Sequence, residues 1–533
     1  MAHAPAGSEA RPESVFGSKT ARHTHLTRIA CGVAFVALCV GGVGLINAYW
    51  PYRYRIVKPL LEDMLGSQLE IAHYHRTYFP HPGFVAEGLI LRRKSAPDLA
   101  PLGTVKQLAV QGAWTDFLLL RPRVRLVDLQ ALHIVIPAPG SRANREDFPP
   151  GSAADFGGPD SLIQHLKIHD GLLEILRENG TLFSFPIKEL DLQNFQKGRT
   201  IKYVVDMQNA IPHGHIESSG NFGPLNAGNL AATPVSGTFA FSAVNLHDVG
   251  DLRGTLSSAG HFWGALGAIE AAADSDTPEF AVDDGRPTPV HGNVRCTVNG
   301  LTGEVAFQQL EVKSGATTIV ANGSVAGAPK VTHLEVSIAH GRVQDVLRPF
   351  LHGAVPLTGR VDLRAQADLD RVQSGVGFLK RLHVNGTFDV PTGHATDPTM
   401  EKTLTDFSHR AQSHNDAPGN EQAADPEADA LSTLRGRAQI ENGVVSSPDL
   451  TFGVPGAQAT LQGTFRFRDE TAHLTGRLAM QAGISHTATG FKSFLLKPLD
   501  PFLRKGSAGA VIPIAVVGGP GHYEVTHDFS HKK

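Results

Sequence analysis

Charged side chains and cysteines are scarce in this chain of 533 residues. Charged residues make up 19 %, and the formal net charge of -3 provides no broad positive field to attract nucleic acid. There are 3 cysteines, and two of them, Cys31 and Cys39, lie in an apolar N-terminal run. Cys296 is therefore alone in the body of the chain, where no internal disulfide can form. We expect neither a nucleic-acid partner nor a disulfide framework.

The short sequence motifs of catalysis and phosphate binding are missing as well. HExxH, CxxC, GxSxG and GxxxxGK[ST] do not occur. Histidines are plentiful, and His73 with His75, or His213 with His215, would project from one face of a strand, but no third metal ligand can be named. We therefore predict a binding or structural protein with no catalytic residue, no cofactor and no metal site. A hydrolase that uses scattered residues is the enzymatic alternative.

One long apolar run stands near the N-terminus. Residues 29–46 carry no charge, and a helix of that length would span about 27 Å, close to the thickness of a bilayer core. Aromatic and basic side chains that favour headgroup depth follow at once. The candidate membrane-proximal residues are Trp50, Tyr52, Arg53 and Arg55.

This run predicts a tail at residues 1–28 and a transmembrane helix at 29–50. A cleavable signal peptide is the alternative, because basic residues also precede an apolar stretch in such peptides. Basic residues flank both ends of the run almost equally, so the charges alone leave its orientation open.

After the apolar run the sequence changes to period two. Ile56, Leu60, Leu61 and Met64 first predict a short amphipathic helix, and a strand is expected near Leu69. In residues 359–369, apolar and polar side chains alternate strictly, which is typical of a strand with one dry face. Asn-Gly pairs favour tight turns and bulges and hence antiparallel connections. They begin at Asn179, Asn299, Asn322, Asn385 and Asn442.

Composition divides the body into segments. Residues 51–136 would hold the short helix and a first β-region, and 161–390 a longer β-rich region. Residues 391–430 are rich in Asp and Glu and predict an acidic insertion. Residues 431–533 return to the alternating pattern and form the last segment. Within it, residues 490–505 are basic and amphipathic, and would either contact a membrane surface or pack across the end of the sheet.

Three stretches carry a resemblance to a known family. They are LRGRAQIENGVVSSPDLTFGVPGAQATLQGT at 434–464, GFKSFLLKPLDPFLRKGSAGAVIPIAVVG at 490–518 and TYFPHPGFVAEGLILRR at 77–93. The chain resembles the AsmA-like family of Gram-negative envelope proteins, which is related to bridge-like lipid transfer proteins. The resemblance is greatest from about Leu382 to Phe529, and the middle of the chain matches in strand pattern only.

The resemblance implies a mainly β fold. A transmembrane helix would be followed by an elongated, curved antiparallel sheet that forms a groove, with short helices. It also implies an inner-membrane anchor, a periplasmic body, and a role in binding or moving phospholipid or a related lipid for outer-membrane assembly and homeostasis. Envelope proteins would be further partners. The alternative is a non-enzymatic assembly factor or scaffold that binds outer-membrane proteins.

The residues themselves do not distinguish a lipid groove from a β-sandwich. Period two says that one face of each strand is dry, and either a second sheet or a lipid could cover that face. For the groove, large apolar residues of the alternating segments are the candidate lining. They are Phe239, Phe241, Leu363, Leu461, Phe465 and Phe467.

Overall fold

The computed structural model describes residues 50–526, with short gaps and three longer ones at 144–161, 406–431 and 481–510. The predicted membrane run at 29–46, the basic segment at 490–505 and most of the acidic insertion lie outside the described residues. Among the residues that are described, no helix has the length and apolar character needed to cross a membrane.

The helices of the described residues are short. They are α1 Tyr54–Met64, α2 Trp114–Leu118, α3 Val343–Leu347 and α4 Phe378–Arg381, with 3-10 turns at Leu230–Ala232, Leu246–Val249 and Arg348–Phe350. Helix α1 confirms the helix predicted after the apolar run. Two residues of its predicted apolar face, Ile56 and Leu60, are more than half exposed, whereas Val57 is buried.

Strands make up most of the described chain, and the mainly β prediction is confirmed. The first twelve are β1 Ser67–Thr77, β2 Gly83–Arg93, β3 Gly103–Gln111, β4 Arg123–Ile136, β5 Leu162–Leu176, β6 Leu182–Gln193, β7 Ile201–Asn209, β8 Gly214–Phe222, β9 Pro234–Asn245, β10 Leu252–Arg253, β11 Thr255–Ala265 and β12 Ala268–Val282. The others are β13 Thr288–Val298, β14 Val305–Ser314, β15 Thr317–Val325, β16 Thr332–Arg342, β17 Leu357–Leu369, β18 Leu382–Ala395, β19 Ser432–Glu441, β20 Val444–Val454, β21 Ala457–Arg466, β22 Thr471–Met480, β23 Val511–Gly519 and β24 His522–Thr526. Since β18 runs to Ala395, the first residues assigned to the acidic insertion belong to a strand.

All 24 strands join one sheet, and nearly all of them pair with their neighbours in chain order. The short β10 pairs with the end of β12, so that β9 pairs directly with β11. Antiparallel pairing holds throughout except between β4 and β5, which are parallel. The prediction that the sheet is antiparallel was wrong for this pair of strands. A parallel pair needs a long connection, and residues 137–161 separate the two strands in sequence.

The sheet has one apolar face and one polar face, as the alternating pattern predicted. In β17, Val361, Leu363 and Ala365 lie on the apolar face. On the polar face, histidines often lie opposite carboxylates on the next strand. The Nδ1 atom of His333, for example, lies 2.6 Å from Oδ1 of Asp368. Cross-strand pairs of this kind keep the polar face hydrated while the other face gathers apolar side chains.

The sheet is strongly curved, because connections that are far apart in strand order are in contact. Arg381 of α4, between β17 and β18, donates a hydrogen bond from Nη2 to the carbonyl of Val249, which follows β9. Its Nη1 also donates to the carbonyl of Asp370 at 2.9 Å. Burial lowers the pKa of Arg381, and the charges of Asp370 and Asp251 oppose that shift.

The Asn-Gly pairs have more than one role. Asn442 and Gly443 form the tight turn between β19 and β20, both with positive φ, as predicted. By contrast, Asn322-Gly323 and Asn385-Gly386 lie inside β15 and β18. A Cβ on Gly323 would meet the carbonyl oxygen of His333 at 2.0 Å. Glycine at this position therefore allows a close approach of neighbouring strands and does not form a turn.

Candidate functional site

The apolar face is continuous across many strands because the strands keep their register. One row of register partners contains no polar side chain over ten strands. It runs through Phe239, Gly260, Ala273, Val294, Leu310, Ala321, Val336, Ala365, Gly386 and Ala438. Such a surface offers no hydrogen bonds to water and favours apolar contact.

Part of this face is only half-buried by the described residues. We call the apolar face of strands β6 to β14 the trough. Every phenylalanine in these strands is only half-buried, although a packed core would bury such side chains almost fully. They are Phe183, Phe185, Phe222, Phe239, Phe241, Phe262, Phe280 and Phe307. The fully buried residues on the trough are mostly small, such as Ala273 and Cys296.

Three aromatic side chains meet in the middle of the trough. The ring centroids of Phe239 and Phe241 lie 5.8 Å apart at an interplanar angle of 81°. Phe262 on the neighbouring strand lies 6.5 Å from Phe239. Gly237 and Gly260 are the register partners of Phe262 and Phe239, so the rings lie beside positions with no side chain. This alternation gives the trough an uneven apolar surface.

Another part of the same face is covered by a segment of the chain. Residues 343–356, which we call the strap, connect β16 to β17 and include α3. Val343, Leu351 and Val355 of the strap are buried in one cluster with apolar-face residues, among them Ile338 and Val390. The ring of Phe350 lies 5.6 Å from that of Phe467. The strap therefore fills the space over strands β15 to β21.

The first part of the strap is held by a carboxylate. The Oδ2 atom of Asp345 accepts hydrogen bonds from the backbone N–H of Ala316 at 2.9 Å and from Oγ1 of Thr317 at 3.0 Å. The hydroxyl of Ser314 also donates to the Asp345 carbonyl at 3.2 Å. These contacts hold α3 against the connection between β14 and β15.

The second part of the strap is held by Glu470, from the turn between β21 and β22. Its Oε1 atom accepts hydrogen bonds from the backbone N–H groups of His352 and Gly353. The carboxylate is buried, and the Tyr523 hydroxyl donates to the backbone carbonyl of Glu470 at 3.2 Å. Burial, with the nearby charge of Glu470, raises the pKa of Tyr523. From the other side, Nε of Arg286 donates to the His352 carbonyl at 3.0 Å.

The six residues predicted to line a groove fall into two groups. Phe239 and Phe241 lie in the trough. Leu363 and Phe465 pack against the cluster under the strap, and Phe467 is buried in it. Leu461 is buried in a separate cluster with Ala459 and Ile514. The structure thus brings only two of the six to the open stretch, whereas the other four contact packed protein.

Several trough residues were missed from the sequence. Phe262 lies in a strand whose apolar face carries Leu256 but otherwise only Ser258, Gly260 and Gly264, so its hydrophobic pattern is weak. Phe307 and Leu310 both face the trough across a register shift between β14 and β15. A bulge inserts one extra residue, so the alternation of apolar and polar side chains shifts by one position. Residues beyond the bulge therefore do not fit a strict period-two pattern in the sequence. In the sequence, the regular spacing of the glycines in β11 was the available signal of this apolar face.

Ionisable groups are few on the apolar face and common on the polar face. Burial raises the pKa of the Cys296 thiol, which keeps it protonated and unreactive on the edge of the trough. On the polar face, Asp206, His215 and Glu217 lie within 4.8 Å of one another. Lys188 already pairs with Asp206 at 2.8 Å, and the two ring nitrogens of His215 face different carboxylates. Asp206, His215 and Glu217 therefore form a network of ion pairs with Lys188.

The four residues predicted to be membrane-proximal lie in and before α1. Trp50 is buried and contacts Tyr52 edge to face, with ring centroids 5.8 Å apart. The Arg53 carbonyl accepts the first hydrogen bonds of α1, from the N–H groups of Ile56 and Val57. Arg55 is exposed within the helix.

No protein-family model matches the chain, and no curated protein matches it.

Proposed function

We propose that the trough binds the acyl chains of phospholipid or a related lipid, and that the protein handles lipid in a Gram-negative envelope. In this proposal the apolar N-terminal run anchors the chain in the inner membrane, with the sheet in the periplasm. The AsmA-like resemblance gives this setting. The protein would support outer-membrane assembly and homeostasis without catalysing a reaction.

The observation that carries the proposal is the half-burial of the trough phenylalanines. An apolar face of this size in contact with water is unfavourable, and an apolar ligand would relieve that cost. Each CH₂ group that leaves water contributes about 0.8 kcal/mol. Since paired strands lie about 4.8 Å apart, the trough extends roughly 34 Å along the sheet, enough for extended acyl chains.

The strap limits how far a bound chain would extend. Between β15 and β21 the apolar face is filled by the strap's own side chains, so lipid would occupy the trough and not the whole sheet. A local binding site or a shuttle, with partners completing any longer path, fits this division better than a bridge formed by one chain.

The test is lipid mass spectrometry on the purified full-length protein and two variants. In Phe241→Asp, a charge enters the trough, and we expect most of the bound lipid to be lost because an unpaired carboxylate opposes apolar contact. In Ser242→Asp, the charge falls on the exposed polar face of the same strand, and the lipid content should remain that of the wild type. Circular dichroism would verify that both variants fold.

Equal lipid content in folded Phe241→Asp and in wild type would refute lipid binding in the trough. A folded wild-type protein without lipid would favour the assembly-factor alternative. Pull-down of outer-membrane proteins would then be the next measurement.

A further inference from the structure

The polar face of the sheet carries a concavity on the opposite side from the apolar face. It lies across strands β15 to β19 and has a volume of about 440 Å³. Its floor is sheet backbone, including that of Gly386. Its walls are polar side chains that point away from the apolar face, including Ser337, Arg364, Gln366, Asn385, Thr387 and Arg437.

Arg364 is at the centre of this concavity. Among the described residues it forms no hydrogen bond and no ion pair, although its guanidinium has five N–H donors. Its register partners are Ser337 on β16 and Thr387 on β18, and both carry hydroxyls. Elsewhere on the polar face, charged residues commonly lie opposite a partner, as His333 lies opposite Asp368. Arg364 departs from that pattern.

Arg437 continues the same row on β19 but is already neutralised. Its Nε donates to Oδ2 of Asp449 at 2.7 Å, and its backbone N–H donates to Oδ1 at 3.0 Å. Ser337, Arg364, Thr387 and Arg437 therefore stand side by side on four adjacent strands, with one free cation between two hydroxyls. The Ser337 hydroxyl donates to the Val320 carbonyl over a long 3.4 Å and can rotate toward a ligand. With Arg364 and Thr387 it offers three neighbouring donors for the terminal oxygens of a phosphate group.

Glu335 provides a second unpaired charge in the concavity. It lies in the adjacent row, where its register partners are Asn322 and Gln366. Within the described chain it has no ion-pair partner, and Arg364 is its diagonal neighbour. Asn322 and Gln366 flank it with amides, and Asn385 continues the row on β18. Amides both donate and accept hydrogen bonds. A carboxylate in this position would accept hydrogen bonds from an ammonium group.

From these contacts we propose that the concavity binds a zwitterion of the phosphoethanolamine type. The phosphate lies against Ser337, Arg364 and Thr387, and the ammonium group lies against Glu335. Both unpaired charges of the concavity are then neutralised by one ligand. The site is on the polar face, so it is independent of the trough and of the lipid-binding proposal.

Calorimetric titration of the full-length protein with soluble phosphoethanolamine tests this proposal. Arg364→Ala and Glu335→Gln should each weaken binding about tenfold or more, since each removes a hydrogen-bonded charge. Arg360→Ala is the matched control, because Arg360 lies on the same face of β17 outside the concavity and should bind like wild type. Both target residues are exposed, so folding should be retained and can be verified by thermal melting.

Two further titrations sharpen the assignment. Inorganic phosphate alone should bind more weakly than phosphoethanolamine, because it leaves Glu335 unpaired and adds repulsion. Glycerophosphoethanolamine distinguishes the sources: binding equal to that of phosphoethanolamine indicates a phosphodiester headgroup, and binding of the monoester alone indicates a free phosphomonoester. The proposal is overturned if phosphoethanolamine does not bind, if Arg364→Ala leaves its affinity unchanged, or if phosphate alone binds as tightly.

Discussion

Two stretches of one apolar face differ in what lies against them. Over β15 to β21, Leu351 of the strap is 2 % exposed and Phe467, which packs against the strap, is 7 % exposed. In the trough, Phe239, Phe241 and Phe262 are half-buried. Phe465 beside the strap is half-buried too, but no trough phenylalanine is buried as fully as Phe467. The alternating pattern is equally clear in both. The difference shows that alternation in the sequence identifies an apolar face, but does not identify what packs against that face.

The largest expected effect comes from removing a buried side chain of the strap itself. Leu351→Ala should lower the free energy of unfolding by about 2–5 kcal/mol, because a fully buried leucine leaves a cavity. The matched change in the trough, Leu310→Ala, should cost clearly less, since Leu310 is half-buried. Thermal unfolding of the full-length protein would measure both. Equal losses would mean that the trough is as tightly packed as the strap region.

A medium effect is expected from the buried carboxylate that holds the strap. Glu470→Gln should destabilise the protein by about 1–3 kcal/mol, because two backbone N–H groups lose a charged acceptor in a buried place. Glu441→Gln is the control, since Glu441 is exposed. Hydrogen exchange at residues 352 and 353 should rise in the first variant only. Unchanged exchange there would show that Glu470 does not hold the strap.

The smallest effect concerns an anchor beside the trough. Asp248 follows β9 and accepts hydrogen bonds from the backbone N–H of His213 at 2.6 Å and from its ring. Burial alone would raise the pKa of Asp248, but these hydrogen bonds and the His213 charge outweigh it and hold the pKa below its usual range. The group therefore adds stability above its usual pKa and loses it as the pH falls through the lowered value.

Asp248→Asn should accordingly cost up to about 1 kcal/mol at pH 6 and progressively less on acidification. Thermal melts of variant and wild type at several pH values between 6 and 2 would show the two curves converging. A gap that widens toward low pH would contradict the assignment. Comparison with Glu470→Gln would show how much more a buried carboxylate contributes to the free energy of unfolding than a partly exposed one.

Much of the fold could be predicted from the sequence, because period two is a local property of each strand. The helix near Ile56, the strand at Leu69 and the dry face of β17 are all found where they were expected. The parallel pairing of β4 and β5 was not predicted, since it depends on a crossover with no periodic signal. The roles of Gly323 and Gly386 were also missed, because an Asn-Gly pair looks alike in a turn and in a strand.

The candidate site was predicted less completely, for a physical reason. Phe241 and Phe465 have the same alternating neighbourhood in sequence, yet one lies in the trough and the other beside the strap. What separates them is a contact between residues more than a hundred positions apart, as between Phe350 and Phe467. No local pattern contains such a contact.

The sequence by itself determined that this protein is a set of strands with one apolar side, because side-chain alternation follows from backbone geometry. It also determined the scarcity of ionisable groups on that side. The tertiary structure alone decided where the sheet is covered. Curvature brings the strap, Arg286 and Glu470 together over one stretch, and leaves the trough phenylalanines half-buried over another.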